Sequence, residues 1–320
     1  AALRGAGLDA RALPLETQDS FQKGRRETRG GECVPCPATF GAFISELEKS
    51  EAPERQVLFM PTAEGPCRFG QYCTQNRIAL NRRGLTEVPI VSWSSSDTYD
   101  GTDGTTRRWI WTALVLGDVL FKLRCRILPY EVRAGETEAT YQHWLTQLEG
   151  GFETRADLKP LMIKAREAFA KIPVRAEQKP LVGIVGEIYV RNNRFTNQDL
   201  VRRVERAGGE AWLAPFSEWI LYTAHMESWS AGYRQSGIFG RLGSFVKNQF
   251  LSHDEASWMK LMSPILDARH EPSVEDTLKA GSRFVPLDFE GETILTLGRA
   301  VEFIRQGASL VINCAPFACM

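Results

Sequence analysis

Residues 61–73, PTAEGPCRFGQYC, decide how the rest of the sequence is interpreted. They follow the apolar run 57–60 (VLFM), which is typical of a buried strand. Their prolines and glycines predict that the chain leaves this strand in a loop. Cys67 lies in the loop beside Arg68, and a nearby cation together with free backbone N–H groups favours the thiolate over the thiol. Because the thiolate is the form that binds metals, this is a candidate metal-binding loop.

Cysteines recur in two similar Pro-containing segments, residues 33–37 (CVPCP) and 314–319 (CAPFAC). Cysteine thiolates hold iron–sulfur clusters, and N–H groups of the surrounding loops bond the cluster sulfides. We therefore predict that the three loops meet around one iron–sulfur cluster. Cys125 lies within a predicted helix, where a small buried apolar residue is the simpler interpretation. The candidate ligands are Cys33, Cys36, Cys67, Cys73, Cys314 and Cys319.

The cysteine spacing leaves two alternatives open. Cys-x-x-Cys is also the spacing of zinc sites and of redox-active dithiols. A second such pair is missing, and so is the closely spaced cysteine run of ferredoxins. A structural zinc site and unliganded cysteines are the alternatives to the cluster.

The composition is that of an ordinary globular protein. The 320 residues are 43% hydrophobic and 24% charged, enough for two domains with sizeable cores. The formal net charge is zero, so nothing indicates a nucleic-acid or membrane partner. There is no run of eighteen apolar residues and no signal-peptide pattern. We expect a cytoplasmic protein, and a segment of a longer polypeptide because no starting Met is present.

Strand and helix patterns alternate over residues 1–105 and again over 176–320, whereas 106–175 is mostly helical. This pattern predicts an α/β fold with two Rossmann-like open parallel-sheet domains and a helical segment between them. Apolar residues 180–190 predict one strand of the second sheet, and 309–312 predict its last strand. The cysteine loops would then follow strand carboxyl ends, where open α/β sheets bind ligands.

Three polar residues are candidates for catalysis. Arg68 would bond the cluster or an anionic substrate, or simply form a loop salt bridge. Glu187, at a predicted strand end, would donate a proton or orient a ligand, or form a structural hydrogen bond. Ser95 follows a predicted strand and would line the site or cap a helix. Neither a phosphate-binding loop nor a dinucleotide fingerprint is present, so we predict that the chain itself binds no nucleotide.

Six stretches, spread over nearly the whole chain, resemble one known family. They resemble the 2-hydroxyacyl-CoA dehydratase component family, in the branch related to acyl-CoA dehydratase activase fusion proteins. GPCRFGQY and VGEIYVR are the most specific parts. The stretches are GECVPC (31–36), FMPTAEGPCRFGQY (59–72), VPIVSWSSSDTY (88–99), GIVGEIYVRNNRFTN (183–197), GGEAWLAPFSEWI (208–220) and PFACM (316–320).

The resemblance implies a 4Fe–4S cluster on Cys33, Cys67 and Cys319, with one iron left open. Three further cysteines (Cys36, Cys73 and Cys314) would supply a larger cluster of the double-cubane type. An ATP-dependent activator protein or domain would deliver a low-potential electron. The chain would then act as a dehydratase (a lyase) or reductase component on a small molecule such as an acyl-CoA, with a second similar subunit as a further partner.

Two other functions are compatible with the same residues. The chain would be a non-catalytic electron-transfer or scaffold module of a larger activase-type protein, or a zinc-stabilised binding domain.

Overall fold

The α/β class predicted from the sequence is confirmed: the chain is largely helical and carries two small parallel sheets. The computed structural model describes residues 1–63, 65–94, 102–230, 238–317 and 319, and only the backbone of residues 238–241. Ser95, one of the predicted catalytic residues, lies outside the described residues. None of the described helices is long and apolar enough to cross a membrane.

The N-terminal sheet consists of two short parallel strands, in which Leu58 pairs with Ile90 and Phe59 with Val91. Hydrogen bonds extend this pairing, since the Thr62 N–H donates to the Trp93 carbonyl at 3.0 Å. Helices cover the sheet through a core rich in aromatic and aliphatic side chains. The elements are α1 (Ala2–Gly5), α2 (Gln18–Arg26), α3 (Pro35–Leu47), β1 (Leu58–Phe59), α4 (Tyr72–Arg82) and β2 (Ile90–Val91).

Three helices follow, in agreement with the helical segment predicted for residues 106–175. Leu116, Leu120 and Leu123 are fully buried on one face of the first helix. They recur at the three- and four-residue spacing of an amphipathic helix and pack in one core with Met162 and Phe169. The helices are α5 (Gly104–Ile127), α6 (Glu136–Glu153) and α7 (Leu158–Ala170).

The C-terminal sheet has three parallel strands in the order β4–β3–β5. The strand predicted over 180–190 is shorter than expected, because it ends at Gly186 and the chain turns into a helix after Glu187. The elements are β3 (Leu181–Gly186), α8 (Ile188–Asn192), α9 (Leu200–Arg206), β4 (Glu210–Leu213), α10 (Ser217–Ser230), α11 (Ile238–Leu261), α12 (Val274–Gly281), α13 (Glu292–Arg305) and β5 (Leu310–Cys314).

Successive side chains of β3 contribute to cores on opposite faces of this sheet. Ile184 packs with Cys125 on one face, and Val185 packs with Trp212 and Phe303 on the other. The strand order also reverses at β3, since β4 and β5 pair with its two edges. Open α/β sheets bind ligands beyond the strand carboxyl ends at such a reversal, and here Cys314 is the last residue of β5.

Gly186 allows the carboxyl ends of β3 and β5 to approach closely. It has a φ of +123°, and a Cβ placed on it would lie 2.1 Å from the Cys314 carbonyl oxygen. That oxygen accepts a hydrogen bond from the Glu187 N–H at 3.0 Å. A side chain at position 186 would therefore separate the strands and break this bond.

Carboxylates and basic side chains form a buried network that joins the helices to the C-terminal sheet. Glu271 accepts hydrogen bonds from Lys122 of α5, from the Trp212 indole at 2.9 Å and from Arg299 of α13 at 2.6 Å. Arg299 also pairs with Glu218, and both of these side chains are buried. Burying charges costs solvation free energy that only such mutual pairing offsets, so the network fixes the relative positions of its elements.

A small cavity of about 30 Å³ lies beside this network and is lined by two acidic residues without a basic partner in direct contact, Asp118 and Glu255. Burial raises the pKa of Asp118 to about 6 and that of Glu255 to about 7. Glu255 accepts a hydrogen bond from the Ser217 hydroxyl at 2.9 Å. Folding therefore favours the protonated form of both carboxyls.

Replacing Gly186 with Ala should destabilise the fold by about 3 kcal/mol, because the new side chain meets backbone in a left-handed conformation. Gly150→Ala is the matched control. Gly150 lies inside α6 with nothing within 4 Å of a built Cβ, so this change should stabilise by about 0.5–1 kcal/mol. Urea denaturation measures both, and equal effects of the two changes would contradict the close approach.

The stability of the protein should fall as the pH rises from about 4.5 to about 7. The pKa of Glu255 in the folded state lies above its value in the unfolded state. Its contribution to the free energy of unfolding is therefore complete at a pH below the unfolded-state pKa, and it is lost as the pH rises through the folded-state pKa. Glu255→Gln should remove on the order of 2 kcal/mol of this pH dependence. Urea denaturation between pH 4.5 and 8 checks this, with Glu149→Gln on an exposed part of α6 as the control. If Glu255→Gln leaves the pH dependence of stability unchanged, the Glu255 carboxyl is exposed to solvent and not buried.

Candidate functional site

The first cysteine of the predicted site precedes helix α3. Cys33 is partly buried, and its carbonyl accepts a hydrogen bond from the Cys36 N–H at 3.0 Å. Pro35 begins the helix, where a missing N–H costs nothing. The Cys33 sulfur lies 2.5 Å from the Tyr72 hydroxyl oxygen. Two loops of the N-terminal region therefore already meet at this thiol.

The second cysteine, Cys67, lies where the loop after β1 enters a 3₁₀ turn, Arg68–Gln71. The Gly70 N–H donates to the Cys67 carbonyl at 3.2 Å. The exposed Arg68 side chain reaches back and donates to the Gly31 carbonyl at 2.9 Å. Arg68 thus ties the loop of Cys67 to the loop of Cys33, which is a structural role beside the catalytic one predicted for it.

The third cysteine comes from the segment that leaves β5. The Cys319 N–H donates to the Pro316 carbonyl at 3.2 Å. Cys319 is partly buried. Its position past the carboxyl end of β5 agrees with the prediction from strand order.

Cys33, Cys67 and Cys319 lie close enough to one another to interact electrostatically. Burial raises the pKa of Cys319 to about 12, with further contributions from nearby carboxylates and from the charges of Cys67 and Cys33. Burial likewise raises the pKa of Cys67, and Cys33 adds to that increase. The three thiols that the family resemblance selects therefore influence one another electrostatically.

Two carboxyl groups adjoin these thiols, Glu187 and Glu292. Glu187 caps α8 by accepting hydrogen bonds from the N–H groups of Tyr189 at 3.1 Å and Val190 at 2.7 Å. Glu292 is 7% exposed and accepts from the Ile188 N–H at 3.1 Å. Burial, followed by the charge of Glu187, raises the pKa of Glu292 to about 8. Burial also raises the pKa of Glu187, against the effect of its two N–H donors.

Sequence reasoning missed Glu292. It is the first residue of α13, and an acidic residue there is usual because it complements the helix dipole. Its neighbour Glu290 offers a weak signal: it has a φ of +57° and a ψ of −175°, a combination rare outside glycine and concentrated at functional sites. Only the folded chain shows that this turn lies beside Gly65 of the Cys67 loop.

The other cysteines differ in their surroundings. Cys36 is 1% exposed in the N-terminal core, and burial raises its pKa to about 12. Cys73 packs against the same core from the surface of α4. Cys314 is half-buried beside Glu187, whose charge adds to the effect of burial in raising its pKa. Cys125 is buried in the C-terminal core, as predicted.

The donor set and its electrostatics fit a cluster with a cationic iron core. Electrostatic interactions link the three thiols, and burial, with the added effect of nearby carboxyl groups, raises the pKa of each of them. A bound cationic centre would reverse these shifts, because metal binding favours the deprotonated thiolate. None of the described cysteines forms a disulfide.

A single metal ion fits the site less well. Among the described residues, no group of three or more His, Cys, Asp or Glu side chains is close enough to hold one ion. Tetrahedral zinc needs thiolates at about 2.3 Å from one centre. The thiolates of a cubane bind different irons and need not converge so far. This observation gives no support to the structural-zinc alternative.

Replacing Glu292 with Gln should accelerate alkylation of Cys319 in chelator-treated protein at pH 9. The change removes a negative charge that opposes the thiolate, and each pKa unit alters the thiolate fraction about tenfold. We expect a rate increase of about threefold to tenfold, measured by mass spectrometry of iodoacetamide-labelled peptides.

Cys73, labelled in the same sample, is the internal reference, and Glu255→Gln is the matched control because it alters a buried carboxyl elsewhere. An unchanged Cys319 rate in Glu292→Gln would show that this carboxyl does not face the thiol.

Comparison with known protein families, with curated proteins and with solved structures finds no match to this chain. The family resemblance therefore stays an expectation from the motifs. A function for the chain has to be argued from the residues that meet at Cys33, Cys67 and Cys319.

Proposed function

We propose that the chain binds a 4Fe–4S cluster through Cys33, Cys67 and Cys319 and works as a component of the 2-hydroxyacyl-CoA dehydratase type. It would receive a low-potential electron from an ATP-dependent activator and use it for radical dehydration or reduction of a small substrate such as an acyl-CoA. The observation that supports this proposal is the electrostatic interaction of Cys33, Cys67 and Cys319 with one another and with Glu187 and Glu292.

The residues of the chain divide the work at such a site. When bound, the cluster supplies one-electron chemistry that no side chain offers. Cys33, Cys67 and Cys319 would hold it as thiolates. Arg68 holds two of the ligand loops together through Gly31.

Glu187 and Glu292 are the groups placed to manage protons at this site. Dehydration removes a hydroxyl group as water, so a proton has to reach the leaving oxygen. A carboxyl group whose pKa is raised by burial, as that of Glu292 is to about 8, is suited to donate it. Glu187 keeps the proton-donating or orienting role predicted from the sequence, and Glu292 joins it.

Two features of the fold support the finer architecture that we propose, with Rossmann-like units over residues 1–105 and 176–320 and the helical segment 106–175 between them. Both sheets are parallel. The strand order β4–β3–β5 also places the candidate site at a reversal of connection, as ligand sites of open α/β sheets are placed.

A larger, double-cubane cluster would recruit Cys36, Cys73 and Cys314. The burial of Cys36 in the N-terminal core favours the three-cysteine cluster over this form. The activator and a second similar subunit stay proposed partners on the strength of the resemblance, as does the non-catalytic electron-transfer or scaffold role.

Metal and sulfide analysis of anaerobically purified protein tests the proposal. We expect about four irons and four sulfides per chain. Most of the iron should be lost from each of three variants, Cys33→Ala, Cys67→Ala and Cys319→Ala, because the two remaining thiolates would not hold the cluster in the protein. Cys73→Ala, on the surface of α4, is the matched control and should retain it.

Zinc in place of iron, no metal under strict anaerobiosis, or unchanged iron in Cys67→Ala would contradict the assignment. Adding acyl-CoA compounds to the reduced protein distinguishes the catalytic role from the non-catalytic electron-transfer role. A substrate at the open iron changes the electron paramagnetic resonance spectrum, whereas a cluster closed by a fourth protein ligand gives the same spectrum throughout.

A further inference from the structure

Tyr72 has a phenol group fixed against one of the proposed cluster ligands. It begins α4 and is 6% exposed. Its ring packs edge-on against Phe69, with ring centroids 5.4 Å apart and an interplanar angle of 90°. The hydroxyl contacts the Cys33 sulfur. Since the ring is enclosed by the N-terminal core, the direction of the hydroxyl is set by packing as well as by this contact.

The proton of this contact belongs on the tyrosine once Cys33 is a thiolate. The Tyr72 hydroxyl oxygen lies 2.5 Å from the Cys33 sulfur. A thiolate sulfur has no proton to give and acts only as an acceptor. The arrangement then has one polarity, in which the Tyr72 O–H donates to the Cys33 sulfur.

We infer that Tyr72 is a positioning residue that raises the reduction potential of the cluster through Cys33. This inference rests on the proposed function. A hydrogen bond to a ligating sulfur withdraws electron density from it and so stabilises the reduced, more negative state. Tyr72 follows Cys67 by five residues, so the segment that supplies one proposed ligand also supplies the hydroxyl that contacts the other, Cys33.

The test is the midpoint potential of the reconstituted cluster, measured by redox titration with visible and electron paramagnetic resonance detection. Tyr72→Phe should shift the potential to more negative values. At the wild-type midpoint, the ratio of reduced to oxidised cluster should fall about threefold to tenfold, and tenfold corresponds to about 59 mV for a one-electron couple. Tyr141→Phe, on helix α6, is the matched control and should leave the potential unchanged.

A second replacement makes the test independent of the packing that Tyr72→Phe alters. Incorporating 3-fluorotyrosine at position 72 keeps the ring and makes its hydroxyl a stronger donor, so the potential should move to less negative values. The order phenylalanine, tyrosine, fluorotyrosine is the expected series, and a purely structural role would not produce it. If Tyr72→Phe loses the cluster, the tyrosine and fluorotyrosine proteins still decide.

The outcomes separate this inference from the function on which it rests. A full iron content with a potential that does not follow donor strength overturns the role of Tyr72 and leaves the cluster in place. Absence of iron and sulfide from the anaerobic wild-type protein overturns the proposed function itself.

Discussion

The contact between the carboxyl ends of β3 and β5 at Gly186 is the constraint on which the candidate site depends. The missing side chain lets the Cys314 carbonyl reach the Glu187 N–H. Glu187 then caps α8, and the same short helix is held to the N-terminal region, because Tyr189 and Asn193 both donate hydrogen bonds to Glu16. One close approach of backbone thus orients the groups that bring distant parts of the chain to the same place.

Electrostatics give this place its chemical character. Elsewhere in the C-terminal region buried carboxylates such as Glu218 and Glu271 are matched by Arg299 and Lys122. At the candidate site Glu187 and Glu292 instead accept hydrogen bonds from backbone N–H groups, and burial raises the pKa of both.

The sequence predicted those parts of the fold and the site that depend on local patterns. Clusters of Gly, Pro and Cys located the three cysteine segments, although Pro35, Cys36 and Pro37 form the start of α3 and not a loop. Apolar periodicity located helices such as α5. The strand predicted over 180–190 was wrong at its end, since apolar residues such as Ile188 and Val190 favour strand and helix alike and only the turn at Gly186 separates them.

Other parts could not be predicted because they exist only in three dimensions. In the sequence, Tyr72 and Glu292 are ordinary residues of the first turn of a helix. Tyr72 becomes notable because its hydroxyl contacts the Cys33 sulfur, and Glu292 because its carboxyl lies near that of Glu187. The guanidinium of Arg68 was assigned to a cluster or an anion, yet its partner here is a backbone carbonyl.

The wide separation of the three thiols along the chain has a consequence for biosynthesis. Cys33 and Cys67 leave the ribosome long before Cys319, and the pairing of β5 with β3 likewise joins early and late parts of the chain. Contacts of such long range form late in folding, because the entropy cost of closing a large loop comes before the free energy gained from the contacts. A nascent chain would thus present two thiols without the third, open to oxygen and to stray metals. Assembly of the proposed site would therefore have to wait until residue 319 has been translated, and the first two thiols would need protection until then.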